Sequence, residues 1–480
     1  MRVAVIGAGP AGLTAAYQLA KSEVSVDVYE ASEHVGGLAR SLDLWNQRVD
    51  LGPHRFFSTD LRVNQLWLEV VGKDYEMVDR LTRIYYRNEF YPYPLQPFDT
   101  LRKIGLGEAC HITGSYLLGQ IKTLFAQRNG DSLESWLVHR FGQRLYEIFF
   151  ESYSRKLWGI PPDQIDADFA AQRIKEFSFS KLVTAAIRRG NGHQHPTLIT
   201  RFAYPSHGTG MVYEKMANRM RELGGSLHLG APVTRVWGRK SGVCTVELSS
   251  GERRKVDHVV STMPLTLLVK ALPNVPGAVL EASAALRFRN TVFVYLKVAG
   301  ESPFPDQWLY VHGDSLQTGR ITNYRNWVPT LYGKELDTVV SMEYWCFDED
   351  PLWSWPDEQL ISHAIGELAA SGLVEKEAIT AGQVMRVHRS YPVYKKGYME
   401  HLGVIRAYLD TVEGLCVIGR YGSFKYNNQD HSMLMGMMVA ENLLDGAGHD
   451  LWSINTDYRV YQEGAVITET GLERTGSVLQ

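Results

Sequence analysis

The stretch that decides the fold is RVAVIGAGPAGLTAAYQLAKSEVSVDVYE, residues 2–30. Its apolar start, Arg2–Ile6, predicts a short buried strand, and residues 12–19 predict a helix. Residues 24–29 predict a second strand, which ends at Glu30. This order of strand, glycine-rich turn, helix and strand is typical of a Rossmann-like α/β domain.

The turn between the first strand and the helix carries a G-x-G-x-x-G motif, formed by Gly7, Gly9 and Gly12. Bare backbone at these positions lets a pyrophosphate approach the positive end of the helix. Glu30 ends the next strand, where its carboxylate can accept hydrogen bonds from ribose hydroxyls and disfavours a 2′-phosphate. The alternative is a surface glutamate that happens to follow a glycine turn. The pattern predicts a dinucleotide site.

Composition excludes several classes of partner. The 480 residues are 45% hydrophobic, enough for a large core and about two to four domains. The formal net charge of −3 offers no reason to expect nucleic acid or an anionic membrane. Residues 106–125 are apolar but interrupted by polar side chains, so no membrane span is expected. The first twenty residues contain the glycine turn and do not resemble a signal peptide.

The cysteines and histidines indicate neither disulfides nor metal. The four cysteines are far apart and form no C-x-x-C pair, which suits a reducing, cytoplasmic location. His193 and His195 could suggest a metal site, but no carboxylate or cysteine lies close in sequence. We therefore expect no metal centre.

The segment EASEHVGGLAR, residues 30–40, is similar to the E-A-x-x-x-x-G-G-x-x-x run of FAD enzymes. On this segment the chain resembles the amine oxidase and protoporphyrinogen oxidase superfamily. The resemblance implies non-covalently bound FAD, with Gly36, Gly37 and Arg40 along its pyrophosphate and flavin edge. Two glycines leave room for a planar ring close to backbone, and an arginine can donate to phosphate.

Four further segments resemble the UDP-galactopyranose mutase group of that superfamily. DLGPHRFF (50–57) is similar to the D-x-G-x-H-x-F-H segment beside the flavin, with Phe57 in place of its second histidine. SRKLWGIP (154–161) resembles K-Q-W-G-x-P, and GRITN (319–323) resembles the segment whose arginine holds the substrate diphosphate. GRYGSFKY (419–426) resembles G-R-L-x-x-Y-x-Y, but the following NNQDH (427–431) lacks that family's second tyrosine. One diphosphate-binding hydroxyl is therefore missing.

The resemblance implies a set of site residues. The catalytic candidates are His54 and Arg320. The remaining cofactor candidates are Val233, Gly419, Arg420, Asp430 and Met433, where Met433 begins a predicted helix whose free amides hold the flavin. The substrate candidates are Trp158, Arg320, Tyr391, Tyr426 and Asn427.

Alternatives remain open for several of these residues. His54 could be a histidine in a polar loop, and Trp158 could be core. Arg320 or Arg420 could form a structural ion pair, and Arg420 could instead contact FAD.

The predicted organisation follows from these assignments. Residues 1–95, 200–270 and 400–450 form a discontinuous FAD-binding domain, and residues 96–199 form a helical insertion. Residues 271–399 form a substrate domain with a mixed sheet, including strands at 291–298 and 339–345. Residues 451–480 are a polar tail.

The expected function is that of an FAD-dependent oxidoreductase acting on a polar, nucleotide-activated sugar, with a role in surface polysaccharide biosynthesis. NAD(P)H is a candidate external reductant, and a homodimer is a candidate assembly. One alternative is a redox-neutral pyranose/furanose mutase that uses reduced FAD as nucleophile. Another is a non-catalytic FAD-binding protein.

Overall fold

The computed structural model describes residues 1–93, 95, 97–125, 131–167, 201–240, 243–454 and 465–474. The second part of the expected helical insertion, with His193 and His195, lies outside the described residues. Much of the expected tail also lies outside them.

The strands of the described residues are β1 (Arg2–Ile6), β2 (Ser25–Tyr29), β3 (Ser41–Leu44), β4 (Gln47–Asp50), β5 (Tyr75–Asp79), β6 (Thr82–Tyr86), β7 (Glu89–Pro92), β8 (Arg201–Pro205), β9 (Ser226–His228), β10 (Val233–Lys240), β11 (Val243–Leu248), β12 (Arg253–Val256), β13 (His258–Ser261), β14 (Phe288–Val298), β15 (Trp308–Val311), β16 (Arg320–Asn323), β17 (Thr338–Cys346), β18 (Ile379–Pro392), β19 (Leu415–Val417), β20 (Ala465–Thr468) and β21 (Gly471–Arg474). The α-helices of the same residues are α1 (Pro10–Lys21), α2 (Leu61–Val71), α3 (Pro97–Ile104), α4 (Leu106–Phe125), α5 (Leu133–Phe141), α6 (Gln143–Tyr146), α7 (Ser152–Trp158), α8 (Gly210–Glu222), α9 (Leu265–Ala271), α10 (Gly277–Ala285), α11 (Pro351–Ser354), α12 (Asp357–Ala370), α13 (Tyr398–Leu409), α14 (Gly419–Gly422) and α15 (Gln429–Asp445).

A five-stranded parallel sheet has the order β19-β13-β1-β2-β9 and draws its strands from three separate chain segments. Four of the five residues of β1 are buried, as expected for a central parallel strand covered on both faces. The predicted Rossmann-like fold class is confirmed. Helix α1 follows β1 directly and packs against α8 and α15.

A mixed seven-stranded sheet has the order β18-β14-β17-β16-β15-β6-β7. Its pairs are antiparallel except β15 with β6, which run parallel. Every residue of β17 is buried, and α12 packs on β14 and β18. The expected mixed sheet is present.

The β6–β7 hairpin belongs to this second sheet, because Thr82 pairs with Trp308 across a large sequence separation. The expectation that the first nucleotide-binding segment extends to residue 95 is therefore wrong at its end. We propose that this segment ends near Asp79, the last residue of β5.

Apolar periodicity predicts two helices in the insertion, over residues 104–124 and 133–150. The first is present as α4, and Gly105, with a φ of +93°, separates it from α3. The predicted helix over 133–150 ends at Phe141, and Gly142 has a φ of +81°. Helix α6, a π-helical turn at Glu147–Glu151 and α7 follow.

Disulfides, membrane-spanning helices and metal clusters can be assessed for the described residues only. All four cysteines lie in this part of the chain and are free thiols. Within the described ranges no helix has the length and apolarity to cross a membrane. The same ranges contain no cluster of three or more histidine, cysteine or acidic side chains suited to a metal ion.

Candidate active site

A cavity of about 790 Å³ lies between the parallel sheet and the seven-stranded sheet. Gly7, Gly9 and Glu30, beside the parallel sheet, and Arg320 and Tyr391, on the seven-stranded sheet, all line it. The volume is in the range of cavities that hold small molecules and cofactors. The other sequence-predicted residues that line the cavity are Gly37, His54, Val233, Gly419, Arg420, Tyr426, Asn427 and Asp430.

Two glycine turns form a floor without side chains at the start of α1. Gly36 has a φ of +98°, and its amide donates to the carbonyl of Ala8 at 2.8 Å. A Cβ added to Gly37 would lie 3.2 Å from the Cα of Gly9, whereas a Cβ on Gly9 would meet only the Cα of Gly37, at 3.8 Å. The Gly9 position is therefore open to the cavity. A phosphate could approach the amides of the α1 N-terminus there.

Gly12 does not line the cavity, and its role is in packing. A Cβ at this position would lie 2.0 Å from the carbonyl oxygen of Gly7. Only a glycine lets α1 lie this close to the turn that precedes it. The predicted direct contact between Gly12 and a cofactor is replaced by this supporting role.

Glu30 organises the first glycine turn. Its Oε2 accepts a hydrogen bond from the Ala8 amide at 2.7 Å, and its Oε1 accepts one from the Ser32 amide at 2.9 Å. A carboxylate oxygen can accept a second hydrogen bond. Ribose binding by Glu30 therefore remains compatible with this geometry, and it stays a prediction.

Arg40 is a half-buried cation with no carboxylate partner among the described residues. Its Nη2 contacts the sulfur of Met385 at 3.5 Å, and its Nε is buried without a hydrogen bond. Neither Arg40 nor Gly36 lines the cavity. An uncompensated guanidinium favours a nearby anion such as a phosphate.

Helix α15 begins four residues earlier than the sequence predicted. Asn428 is its N-cap, and a capping box joins Asn428 to His431, so the helix starts at Gln429. Met433 is consequently inside the helix, fully buried and not among the cavity-lining residues. The predicted role of Met433 as the helix start is wrong, because the polar cap precedes the apolar run from which the helix was inferred.

These residues fit a flavin dinucleotide. The glycine floor and the N-termini of α1 and α15 supply backbone amides, Glu30 supplies an acceptor, and the unpaired Arg40 supplies a cation. A bound flavin would contribute reversible transfer of electrons as hydride.

His54 lies in the wall of the cavity as a neutral imidazole. Its Nε2 is 2.8 Å from the carbonyl oxygen of Leu51. Burial, and to a smaller extent the positive charge of Arg320, lower the pKa of His54 to about 4. The imidazole can therefore orient or accept, but it carries no charge at neutral pH.

Arg320 forms a buried ion pair. Its Nε and Nη2 donate to the two carboxylate oxygens of Glu343 at 2.7 and 2.5 Å, and Nη2 also lies 3.3 Å from the Tyr391 hydroxyl. Burial disfavours the charged guanidinium, yet the Glu343 carboxylate holds the pKa of Arg320 well above its usual value. Only Nη1 makes no hydrogen bond to a described residue.

Arg420 is held by backbone and by rings. Its guanidinium donates to the carbonyl oxygens of Ser390 and Asn427 at 3.0 to 3.1 Å. It also lies over the rings of Tyr391 and Tyr426, at 4.8 and 4.2 Å from their centroids. Those two rings stack on each other at 5.5 Å. Arg420 thus fixes both tyrosines in the cavity wall.

Trp158 does not line the cavity. It is 3% exposed, and its ring contacts those of Tyr391 and Tyr426 at 6.4 and 6.3 Å. The geometry favours the core alternative, in which Trp158 supports two rings that line the cavity. Its predicted direct contact with substrate is replaced by this packing role.

Sequence reasoning missed several residues of the cavity wall. Arg55 lies inside the quoted segment 50–57, but only the neighbouring His54 was assigned a role. Arg80, Tyr93, Trp308 and Tyr310 also line the cavity, and no motif in the chain marks them.

Comparison with known proteins identifies the family. The profile described as "Flavin containing amine oxidoreductase" matches residues 10–426. A probable UDP-galactopyranose mutase of Klebsiella pneumoniae is 24% identical over 184 residues, which are 37% of this chain and 46% of that protein. A coproporphyrinogen III oxidase of Staphylococcus aureus is 26% identical over 200 residues, which are 38% of this chain and 42% of that protein. The matched region thus spans less than half the length of these curated relatives.

A solved structure extends the fold likeness along the chain. The crystal structure of reduced UDP-galactopyranose mutase superposes with a TM-score of 0.83 at 21% identity, covering 95% of this chain and 96% of that one. At this identity the likeness establishes the fold alone. The family match over residues 10–426 shows that this chain is an enzyme of the flavin-containing amine oxidoreductase family.

Proposed function

We propose that this enzyme is an FAD-dependent oxidoreductase acting on a polar, nucleotide-activated sugar. The observation that carries the proposal is that one cavity joins the nucleotide-type glycine turns to a wall of arginines and tyrosines. Such a wall suits a hydroxyl-rich, anionic substrate better than an apolar amine.

In this proposal the chain binds and orients both partners. Gly7, Gly9 and Glu30, which line the cavity, hold the dinucleotide with Arg40 as a nearby cation, and the amides at the start of α15 face the flavin. Tyr391 and Tyr426, fixed by Arg420, form the substrate wall. Neutral His54 positions a hydroxyl or carbonyl group without competing for a proton at neutral pH.

A second candidate is a redox-neutral pyranose/furanose mutase that works with its flavin reduced. The fold likeness to a mutase over almost the whole chain favours it. Two features argue that this chain does not bind the substrate diphosphate as the mutase group does. Residues 427–431 lack that group's second tyrosine, and Arg320 is ion-paired with Glu343.

The proposed oxidoreductase function includes NAD(P)H as external reductant, a homodimeric assembly, a cytoplasmic location and a role in polysaccharide biosynthesis.

The test combines anaerobic photoreduction with a screen of nucleotide sugars. Bleaching of the oxidised flavin by one sugar nucleotide, with a stoichiometric oxidised product, supports the oxidoreductase. An isomeric product formed while the flavin stays reduced supports the mutase instead. UDP alone serves as the control, since it lacks the reacting sugar. A full panel with neither outcome would overturn the proposed substrate class.

A further inference from the structure

Two arginines in the cavity wall, Arg55 and Arg80, have no role in the proposed function. Arg55 follows His54, and Arg80 follows β5 directly. Both line the cavity. They come from different segments that converge on β8, because Phe56 bridges Ala203 of β8 and β8 pairs with β5.

Neither guanidinium is neutralised by the described residues. The Nη1 of Arg55 and the Nε of Arg80 are buried without a hydrogen-bond partner. The Nη2 of Arg80 donates to the carbonyl oxygen of Tyr93 at 3.1 Å. Burial, followed by repulsion from Arg55, lowers the pKa of Arg80. Two like charges that are half-buried and close together are costly unless an anion joins them.

Two other arginines of the seven-stranded sheet are each paired with a carboxylate. Arg83, on β6, donates to both carboxylate oxygens of Asp306 at 2.8 and 2.6 Å. Arg320, two strands away, is paired in the same bidentate way with Glu343. Arg55 and Arg80 thus differ from both of these arginines in having no carboxylate.

The surroundings of the arginine pair are aromatic and polar. The ring of Tyr93 lies 4.8 Å from that of Tyr310, which in turn lies 6.4 Å from Trp308. Tyr93 is 42% exposed, and the neighbouring Tyr310 raises the pKa of Tyr93, so its hydroxyl stays a neutral donor. Hydroxyl donors beside two guanidiniums suit an oxyanion with several oxygens.

The register of the sheet relates this pair to Arg320. Tyr310 pairs with Arg320 across β15 and β16, and Thr82 of β6 pairs with Trp308 of β15. Neighbouring strands are about 4.8 Å apart, so β6, which begins two residues after Arg80, is about 10 Å from β16, the strand of Arg320. The two ends of one extended substrate can occupy both places.

We infer that Arg55 and Arg80 form the site for the diphosphate of the substrate, in place of Arg320, which Glu343 already neutralises. This assignment rests on the proposed nucleotide-sugar function. It reassigns the diphosphate to residues that no motif identified. Tyr93 and Tyr310 complete the site as hydroxyl donors.

The test measures binding to the flavin-loaded enzyme by calorimetry, with UDP and with inorganic pyrophosphate as probes. Arg55→Gln and Arg80→Gln should each weaken both probes about tenfold to a hundredfold, with unchanged flavin content. Arg80→Lys should recover only part of the loss, because a point charge lacks the planar fork. Arg102→Gln, an equal charge change at an exposed position of α3, should leave both affinities unchanged.

The outcomes separate the inference from the function on which it rests. If pyrophosphate binding depends on Arg55 and Arg80 but no nucleotide sugar is active in the screen, the oxyanion site is supported and the proposed substrate class is contradicted. If a nucleotide sugar is active in the screen but both variants bind UDP as tightly as wild type, the inference is overturned and the proposed function stands. Failure of the folded holoenzyme to bind either probe would also overturn it.

Discussion

A substitution at Gly9 tests the flavin-binding hypothesis most directly. Gly9→Val should prevent flavin binding, because the branched side chain would project into the open floor beside the α1 N-terminus. The fold should persist, since a Cβ there meets only the Cα of Gly37. Absorbance of the purified protein gives the flavin content, and circular dichroism reports folding. A variant that purifies with a full complement of flavin would contradict the assignment.

Arg320 illustrates a residue whose ion pair changes the expected effect of mutation. Arg320→Ala leaves Glu343, which is 0% exposed, as a buried carboxylate without its partner. The free energy of unfolding should fall by about 3 to 5 kcal/mol. Adding Glu343→Gln should restore part of it. Arg254→Ala, which removes an exposed pair with Glu252, is the control and should cost about 1 kcal/mol or less in denaturant unfolding.

The lowered pKa of His54 predicts a pH dependence of the free energy of unfolding. Its pKa is lowered from 6.5 to about 4 in the folded protein. Between those values the unfolded chain binds more protons, so the free energy of unfolding falls as pH falls from 6.5 to 4. His54→Asn should remove about 3 kcal/mol of that dependence. Denaturant unfolding of holoprotein at pH 4.5 and 7 measures it, with exposed His111→Asn expected to behave as wild type.

At the scale of elements, the contact between α1 and α15 depends on one small residue. A Cβ at Gly436 would lie 2.6 Å from the carbonyl oxygen of Ala11 and 2.7 Å from the Cβ of Thr14. The glycine therefore lets α15 approach α1 closely. The two helices carry their N-termini to the same cavity, so their separation also positions the dinucleotide site.

Gly436→Val should therefore act on both stability and cofactor affinity. Overpacking should lower the free energy of unfolding by about 1 to 3 kcal/mol, and the displaced start of α15 should weaken flavin binding. Thermal unfolding and flavin titration measure the two effects. Gly403→Val, at an exposed position of α13 where an added Cβ meets nothing within 4 Å, is the matched control. Equal flavin affinity in Gly436→Val and wild type would contradict the proposed role of α15.

At the scale of the whole molecule, the cofactor should be held by non-covalent contacts spread over three chain segments. No described cysteine lines the cavity, and the four thiols lie on α4, β11, β17 and β19. We expect a yellow protein that releases its flavin on acid precipitation, as the absorbance of the supernatant would show. Flavin that stays in the pellet would contradict this expectation, and mass spectrometry of tryptic peptides would then locate the bond.

The seven-stranded sheet also explains why the domain boundaries were difficult to predict. Strands β6 and β7 follow the nucleotide-binding segment in sequence but pair with β15, more than two hundred residues later. Nothing in the local pattern of residues 82–92 indicates which sheet they join. The same long-range pairing brings Arg80 and Tyr93 into the cavity.

Local sequence patterns were enough to predict the Rossmann-like domain, its glycine turns and the acid at the end of β2. Those features depend on contacts within about thirty residues, where strand, turn and helix signals are local. The tertiary structure alone decided that Arg320 is neutralised by Glu343, that Trp158 is packing, and that Arg55 and Arg80 face the cavity. Each of these outcomes depends on which partner a distant strand brings near, and a charged side chain takes its role from that partner.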